Sequence, residues 1–543
     1  MKVLIIGGTG VFGSRLAELL HRDGHEVTLA GRSAERAELA APMDAMARLK
    51  LDRDGDLTPV LSAGVEVVVD ASGPFQAMRA SLDDPWRVPR FCIAHGLHYL
   101  DLSDDADFTA GIGALDDVAR AAGCVVLSGV SSVPALSSAA VQALREGMLD
   151  LELVDTAILP GNRAPRGRSV VEAIMRQAGT PLEVWRGGDW VETRNWSESR
   201  SIHLADDMVR RGWMLRVPDT VLLPAWSGAR SVIFRAGMEL PLLNLGLVGL
   251  GLLRRLGCIR RIRRWQVSGA LLFARLLEAF GSDRGGMVVN VVGRTDGSDL
   301  HRRWTLIAEA GEGPYVPTIP ARVLLRQFDR CVPGARPCLA EFTLAEAEAA
   351  MADLEIRFHR EARSVPCLFE AALGADWSRL SPEIRRLHGF RDGEAFSGTA
   401  QVTRGRGWLP QLAAAFFGFP PAARDVPVQV TMRRLDDTET WVRQFGDRRF
   451  RSHLRPGGAG RVWERFGPFS FLIALGVSDG ALDFPVVAGR FLGLALPGFL
   501  LPYSESRESV RDGAFHFDVA LHLPLTRQLM VRYRGSLCPT PDP

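Results

Sequence analysis

The chain has 543 residues and a mass of 59.4 kDa, more than one hydrophobic core usually organises, so we expect about two to four domains. Its net charge of +2 excludes a general electrostatic attraction to nucleic acids or anionic membranes. Seven scattered cysteines without a CxxC pair are typical of a reducing compartment, and we predict a cytoplasmic protein.

The chain opens with a predicted strand, a glycine-rich turn and a helix. KVLII is a short apolar run typical of a buried parallel strand, and we expect no secretory leader because the chain runs straight into it. A GxGxxG pattern between a strand and a helix favours dinucleotide binding over a purely structural turn, because the helix N-terminus presents unpaired N–H groups to a diphosphate. The predicted cofactor contacts in this turn are Gly7, Gly8, Thr9, Gly10, Val11, Phe12 and Gly13.

The end of the second strand, HEVTLA, indicates which dinucleotide binds. Arg32 and Ser33 stand where NAD-binding sheets usually carry an acidic residue. A carboxylate would repel a 2′-phosphate, whereas a guanidinium and a hydroxyl bind it, so NADP(H) is the predicted cofactor. The alternative is that Arg32 and Arg36 only solvate a helix start. Asp52, at the end of the third strand, is either an adenine contact or a surface carboxylate.

Further apolar runs alternate with helix-compatible stretches as far as residue 140. These runs, ARLKLD, VEVVVD, LHYLDL and CVVLSG, predict a doubly wound parallel sheet, that is, a Rossmann domain over residues 1–140. VEVVVD ends in ASGPF at the ligand-binding edge of such a sheet, so Ala71, Ser72 and Gly73 are predicted to pass along the cofactor. Asp101 and Ser103 either face the nicotinamide or cap the helix that begins at DDADF.

These motifs resemble the saccharopine dehydrogenase-like family of NADP-binding proteins. The matching elements are GGTGVFG, AGRS, VVVDASGPF, HYLDLSDD and GVSSVPALSS, and GNRAPRGRSVVEAI resembles the start of the family's second domain. The resemblance implies a nicotinamide-dependent oxidoreductase with a substrate domain after the Rossmann domain. Members act on compounds as different as amino-acid conjugates and lipids, so the substrate and the catalytic residues stay open.

Residues 141–362 are predicted to form an α+β substrate domain. MVVNVVGR and RWTLIAEA, joined by a turn-rich segment, predict an antiparallel pair. GPYVPTIPARVLLRQF leads into a helix and, as the resemblance implies, can return to the cofactor domain. His95 and His98 lack a further ligand cluster, so no metal site is predicted.

The segment Leu240–Arg264 combines glycine-spaced apolar residues with six arginines. Its apolar part, Leu240–Leu253, is shorter than the roughly 20 residues that cross a bilayer. It is either a peripheral membrane contact with its arginines among lipid head groups, an entrance surface for an apolar substrate, or a buried helix pair with solvated arginines. The lack of a polar face favours burial.

Residues 366–543 are predicted to form an antiparallel α+β domain. Two helices are expected, around Trp408–Phe417 and Val486–Leu496, among several strands. In FHFDVALHL, alternation places Phe515, Phe517, Val519 and Leu521 on one face, which either holds an apolar ligand or forms a filled core, and the sequence favours the core.

This C-terminal part resembles a domain of unknown function that is often fused to saccharopine dehydrogenase-like modules. The resemblance rests on SPEIRRLHG, TWVRQFGDRRFRS and the closing FDVALHLPL and VRYRGSL, and it carries no activity over. The sequence assigns no role to Trp441, Arg443 or Glu464.

The predicted function is NADP-dependent hydride transfer to or from a small molecule. The alternatives are a non-catalytic NADP-binding sensor or scaffold and a lipid-binding protein, and the oligomeric state stays open.

Overall fold

The computed structural model describes residues 1–33, 42–76, 84–165, 167–259, 262–295, 299–435 and 438–540. These residues form two units, Met1–Arg363 (unit 1) and Ser364–Pro543 (unit 2). The predicted boundary at residue 140 falls inside unit 1 and stays a prediction.

Unit 1 contains two large sheets. Its strands are β1 (Lys2–Ile6), β2 (Glu26–Gly31), β3 (Ala47–Lys50), β4 (Val67–Asp70), β5 (His98–Asp101), β6 (Val125–Ser128), β7 (Asp150–Leu159), β8 (Pro181–Arg186), β9 (Asp189–Arg194), β10 (Arg200–Ala205), β11 (Met208–Met214), β12 (Ser231–Ala236), β13 (Gly285–Arg294), β14 (Asp299–Ala308), β15 (Gly334–Pro337) and β16 (Ile356–Ser364).

The helices of unit 1 lie against these sheets or connect their strands. They are α1 (Val11–Arg22), α2 (Pro59–Ser62), α3 (Arg87–Ala94), α4 (Ala106–Gly111), α5 (Asp116–Ala121), α6 (Ser137–Leu144), α7 (Arg168–Gln177), α8 (Pro218–Ser227), α9 (Pro241–Arg255), α10 (Arg264–Leu276), α11 (Ile319–Arg326) and α12 (Leu344–Ala349). Short 3₁₀ turns span Met43–Ala45, Ile112–Leu115, Glu278–Phe280, Gly313–Thr318 and Phe328–Arg330, and a π-helical turn spans Ser132–Leu136.

The first sheet confirms the predicted doubly wound fold. Its seven described strands run in the order β15-β6-β5-β4-β1-β2-β3, and every neighbouring pair is parallel. Val3, Leu4 and Ile5 are fully buried because helices cover both faces, which explains the unbroken apolar run. The edge at the carboxyl ends of β1, β2 and β4 is where such sheets bind ligands.

The second sheet has the order β10-β11-β12-β7-β13-β14-β16 among the described residues. β12 pairs with β7 in parallel, whereas β13 pairs with β7 and β14 antiparallel, as predicted for MVVNVVGR and RWTLIAEA. β8 and β9 form a separate hairpin. The mixed sheet with helices on it is the expected α+β arrangement.

The segment after Gly313 returns to the first helix, as the resemblance implied. The Tyr315 hydroxyl donates to Glu18 on α1 at 2.7 Å. Arg322 on α11 is 2% exposed and donates to both carboxylate oxygens of Asp23 and of Asp353 at 2.6 to 2.9 Å. The buried guanidinium of Arg322 thereby joins the end of unit 1 to its beginning.

Helices α9 and α10 correct the prediction of a buried pair. Gly251 of α9 lies close to Gly179, since a Cβ added to Gly251 would be 3.1 Å from the Cα of Gly179. The opposite side is open: Leu245 is 63% exposed and Leu272 60% exposed. The sequence of an all-apolar helix does not show which of its faces is buried. In this structure the neighbouring elements cover only one face of the pair. None of the helices in the described ranges combines the length and the apolar character that crossing a bilayer takes.

Unit 2 is built around a thirteen-stranded sheet among its described residues. The strands are β17 (Ala395–Arg404), β18 (Ala423–Leu435), β19 (Thr438–Phe445), β20 (Arg448–Pro456), β21 (Arg461–Phe466), β22 (Phe469–Ala474), β23 (Gly476–Ser478), β24 (Ala481–Asp483), β25 (Val486–Phe491), β26 (Leu494–Ala495), β27 (Tyr503–Arg511), β28 (Ala514–His522) and β29 (Leu529–Pro539). Helices α13 (Leu368–Leu373), α14 (Pro382–His388) and α15 (Trp408–Phe416) and 3₁₀ turns at Gly374–Arg379 and Gly498–Leu500 accompany them.

The strand order of this sheet is β23-β24-β27-β28-β29-β17-β18-β19-β20-β21-β22-β25-β26. Its paired strands are antiparallel, which confirms the predicted class. The predicted helix at Val486–Leu496 is wrong, because this segment forms β25 and β26. Leu492 and Gly493 between them both have positive φ and make the tight hairpin turn.

The favoured filled core of unit 2 is only partly found, since Phe515 belongs to a buried apolar cluster against which Phe517, Val519 and Leu521 pack. Phe515, Phe517, Val519 and Leu521 do share one face, as their alternation predicted, but that face lines a cavity of about 340 Å³. Alternation identifies the inward side chains, whereas the curvature of the sheet decides whether they fill the space between them.

Candidate functional site

The glycine-rich turn has a close backbone approach that requires glycine. Gly7 has φ 77° and donates its N–H to Ala30 O at 2.8 Å. A Cβ on Gly13 would lie 2.2 Å from Gly7 O, a distance that no side chain tolerates. Gly13 therefore allows α1 to start directly against the turn, which is the packing role expected of the third glycine.

The N-terminus of α1 is open to an anion. Its N-cap is Gly10, which has no side chain to satisfy the first-turn amides, and no acidic residue stands in the first turn. The N–H groups of Val11, Phe12 and Gly13 and the positive end of the helix dipole are thus available to a diphosphate. The residues present fit the dinucleotide that the sequence predicts.

The end of β4 lies beside this turn, as predicted. A Cβ on Gly7 would be 3.1 Å from the carbonyl carbon of Ala71 and from Cα of Ser72. Ser72 donates its N–H and its hydroxyl to Asp70 Oδ1 at 3.0 and 2.6 Å, which fixes the path of the chain toward Gly73. The structure therefore brings Ala71, Ser72 and Gly73 next to the turn, and half-buried Thr9 belongs to the same edge.

The residues predicted to select the cofactor follow β2 and β3. Arg32 and Ser33 are exposed directly after Gly31, and Leu51 N donates to Gly31 O at 3.1 Å, so the two strand ends are adjacent. Asp52 is exposed and accepts the N–H of Asp54 at 3.2 Å. Arg36, the other arginine of this stretch, lies outside the described residues.

The helix-cap role predicted for Asp101 and Ser103 is wrong, whereas a place beside the nicotinamide stays a prediction. Asp101 Oδ1 accepts from the N–H groups of Ser103 and Gly129 at 2.9 and 2.8 Å and from the Ser128 hydroxyl at 3.0 Å. Complete burial raises the pKa of Asp101 to about 7 despite these donors. The cap of α4 is Asp105, which accepts from Phe108 N at 2.7 Å.

The two histidines considered for a metal make other contacts. His95 Nδ1 lies 2.8 Å from Phe91 O, and His98 Nδ1 accepts from Val125 N at 3.0 Å. Among the described residues, no group of three or more histidine, cysteine or acidic side chains could hold a metal ion.

A pocket of about 260 Å³ opens beside the glycine-rich turn. Phe12 of that turn lines it together with Met287 of the second sheet and Val316 of the returning segment. The pocket is mostly apolar, and its polar side chains are Ser132, Trp196 and Asp283. This is a concave, apolar site with a few polar groups, as expected of a small-molecule site.

Trp196 was not predicted from the sequence. It is 5% exposed, and within the described ranges its indole Nε1–H has no acceptor. A buried N–H without a partner is costly, so a ligand acceptor in the pocket would stabilise it. No sequence signal distinguishes it, because Trp196 follows β9 in an irregular loop.

A second apolar pocket of about 250 Å³ lies beneath α9 and α10. Ile174 on α7 and Met238 line both pockets, and Phe273 on α10 lines the second one. The exposed apolar helix pair is therefore connected, through shared side chains, to the pocket beside the cofactor turn.

Comparison with known proteins identifies both ends of the chain. Residues 3–152 match the family model of the saccharopine dehydrogenase NADP binding domain, and residues 380–537 match a domain of unknown function, DUF4166. The resemblances predicted from the sequence are thus confirmed. The first match supports a dinucleotide-dependent oxidoreductase.

Several solved structures align with the chain at low identity. Apo saccharopine dehydrogenase (L-Glu forming) from Saccharomyces cerevisiae is 14% identical, with 66% of this chain and 99% of that chain covered and a TM-score of 0.46. Homospermidine synthase from Legionella pneumophila in complex with NAD is 10% identical, covering 67% and 91%, with a TM-score of 0.45.

A protein of unknown function from Nostoc punctiforme, of the DUF3598 family, is 10% identical, covering 47% and 67%, with a TM-score of 0.20. No curated protein matches the sequence. The chain is thus similar to saccharopine dehydrogenase NADP binding domains over residues 3–152 and to DUF4166 domains over residues 380–537.

Proposed function

We propose that the protein is an NADP-dependent oxidoreductase that acts on an apolar small molecule. The observation that carries this proposal is the uncapped N-terminus of α1 at the glycine-rich turn, with Arg32 exposed after β2 where NAD-binding sheets place an acidic residue. When bound, the nicotinamide supplies or takes up hydride.

In this proposal, different residues at the carboxyl edge of the first sheet bind different parts of the cofactor. The amides of Val11, Phe12 and Gly13 hold the diphosphate, and the guanidinium of Arg32 with the hydroxyl of Ser33 holds the 2′-phosphate. The backbone after β4 supports the cofactor from the opposite side. Each contact uses a rigid strand end or helix start, which keeps the cofactor in one orientation.

The substrate, in this proposal, lies in the pocket lined by Phe12, Met287 and Val316. Apolar walls exclude water from the reacting atoms. The unpaired indole N–H of Trp196 donates to a carbonyl, imine or hydroxyl group of the substrate and so orients it. An apolar compound with one polar group satisfies this pocket best.

Titration with NADPH, followed by turnover assays with apolar carbonyl, imine and enoyl compounds, tests the proposal. We expect Trp196→Phe to raise KM about two- to tenfold, because one hydrogen bond is lost, with little change in NADPH binding. Trp190→Phe is the matched control, since Trp190 is exposed and lies outside the pocket. Tight NADPH binding without hydride transfer to any compound would contradict the enzyme and support the alternative of a non-catalytic NADP-binding sensor.

We also propose that the protein is cytoplasmic and touches an anionic membrane surface through α9 and α10. All seven cysteines are free thiols, in keeping with a reducing compartment. Leu245, Leu252 and Leu276 are each more than half exposed, and Arg255 and Arg263 are exposed beside them. Apolar side chains next to arginines suit the interface between acyl chains and anionic head groups, from which an apolar substrate can reach the pocket.

Flotation with phosphatidylglycerol-containing vesicles at low salt tests the membrane contact. The wild type should float, and Leu245→Gln with Leu252→Gln should lower binding about tenfold or more, because two exposed leucines no longer insert. The double variant Leu61→Gln with Leu149→Gln replaces two leucines that are exposed elsewhere on unit 1 and should float like the wild type. No flotation of the wild type, or equal flotation of all three proteins, would contradict the membrane contact.

A further inference from the structure

The cavity of unit 2 is formed by the curvature of its sheet. Phe517 on β28 and Phe471 on β22 both line it, although these strands are seven positions apart in the strand order. A flat sheet would hold them roughly 34 Å apart at about 4.8 Å per strand. The sheet therefore wraps around a common interior, which the side chains do not fill completely.

The size of the cavity indicates a binding site. Folded proteins rarely keep voids larger than a water molecule, which occupies about 30 Å³ in the liquid. The cavity, at about 340 Å³, has the size of a small-molecule site. Its lining is largely phenylalanine, leucine and valine, so the occupant that stabilises it must be apolar over most of its length.

Polar groups interrupt this apolar lining at two places: the Arg443–Glu464 pair, and the side chains of Ser504, Ser506 and Glu508 on β27, where Glu508 Oε2 lies 2.6 Å from His388 Nε2. Arg443 donates to Glu464 Oε1 at 3.2 Å and to the Ser452 hydroxyl at 2.7 Å, and its guanidinium lies 5.1 Å from the Trp441 ring centre. Arg443 and Glu464 both line the cavity and are mostly buried. Because the two charges compensate each other, the pair suits a neutral hydrogen-bonding group better than a carboxylate.

An apolar rim surrounds the lining residue Phe469. Its ring centre lies 6.3 Å from that of Phe416 and 4.9 Å from that of Phe491, and these two rings are 68% and 38% exposed. Leu494 is 75% exposed, close in sequence to the lining residue Leu496. Exposed apolar side chains at this place give an apolar molecule a first contact on the surface beside the cavity lining.

We propose that unit 2 binds one long-chain apolar molecule whose neutral polar group, a hydroxyl, ketone or ester, hydrogen-bonds the Arg443–Glu464 pair. Arg443 has five N–H donors, of which the two contacts above use a part, so donors remain for the ligand. This site is independent of the oxidoreductase site proposed for unit 1.

The test uses the full chain and competition against 1-aminoanthracene, a neutral dye that fluoresces in apolar cavities. We expect 1-dodecanol to displace the dye about tenfold more strongly than dodecanoate, because the carboxylate meets a charge pair that is already compensated. Glu464→Gln leaves the charge of Arg443 uncompensated with little change of shape, and it should reverse this preference.

A pair of valine variants locates the binding site. Val519→Trp fills the cavity from β28 and should weaken dodecanol binding about tenfold. Val487→Trp is the matched control: Val487 is 45% exposed, sits in the bulge of β25 beside the lining residue Val486 and does not itself line the cavity, so binding should be unchanged. Circular dichroism checks that the variants fold. If Val519→Trp does not fold, the ligand preference of Glu464→Gln tests the proposal instead.

Three results would overturn the proposal. They are no saturable dye or dodecanol binding, tighter binding of dodecanoate than of dodecanol by the wild type, and an unchanged preference in Glu464→Gln. The NADPH titration on unit 1 does not depend on any of them, so failure of this site and failure of the proposed enzyme are separately visible.

Discussion

Arg32→Glu should raise the dissociation constant for NADPH about a hundredfold or more, while that for NADH changes by less than about tenfold. The wild-type guanidinium gains a charge-assisted hydrogen bond to the 2′-phosphate, and the introduced carboxylate repels it. NADH has a ribose hydroxyl at this position, and the introduced carboxylate accepts a hydrogen bond from that hydroxyl. Isothermal titration calorimetry with both cofactors measures the two constants.

The control for this experiment is Arg211→Glu, the same charge change at an exposed position on β11, away from the end of β2. It should leave both constants unchanged, which separates a local contact from the effect of net charge. An equal loss of NADPH and NADH affinity in Arg32→Glu would contradict the assignment of the 2′-phosphate to Arg32.

Arg322→Met should lower the free energy of unfolding by about 3 kcal/mol, because it removes the buried cation that Asp23 and Asp353 share and leaves Asp23 with Arg326 alone. Urea denaturation followed by tryptophan fluorescence measures this loss. Arg326→Met is the matched control, since Arg326 also donates to Asp23 but is 40% exposed and should contribute about 1 kcal/mol or less. Equal losses in the two variants would contradict the special role of Arg322.

The same ion pairs predict how stability depends on pH. Burial opposes ionisation of Asp23, but the guanidiniums of Arg322 and Arg326 outweigh it and lower the pKa of Asp23 from 3.8 to about 2. A lowered pKa in the folded state stabilises the protein above the unfolded value, and this contribution is lost as pH falls from about 4 to about 2. Arg322→Met should flatten the pH dependence in this window, and an unchanged slope would contradict the pairing.

The fold of the cofactor domain was largely predictable from local patterns. Apolar runs such as KVLII mark strands buried on both faces, and the glycine spacing around Gly10 marks the turn, because both are determined by neighbouring residues. β15 was missed: Gly334–Pro337 is four residues long and contains proline, and it joins the sheet only because the returning segment places it beside β6.

In the second unit, period-2 alternation located most strands, but two features escaped it. The hairpin at Leu492 lacks the usual Asn-Gly signal, so its two strands resembled one apolar helix. β27, with the buried Ser504, Ser506 and Glu508, carries polar residues inward and does not look like a core strand. Both the hairpin and β27 are strands only because they pair with other strands of the sheet, and local alternation does not reveal that pairing.

The sequence by itself determined the parallel sheet and the glycine-rich turn, since each depends on residues within a few positions of one another, and the same local reasoning predicts Arg32 as a cofactor contact. Only the tertiary structure decided that Trp196 lines a pocket, that Arg322 reaches Asp23, that α9 and α10 keep their apolar faces exposed, and that the sheet of unit 2 curves around a cavity. Packing between distant segments decides what lies opposite a side chain, and periodicity along the chain contains no information about that partner.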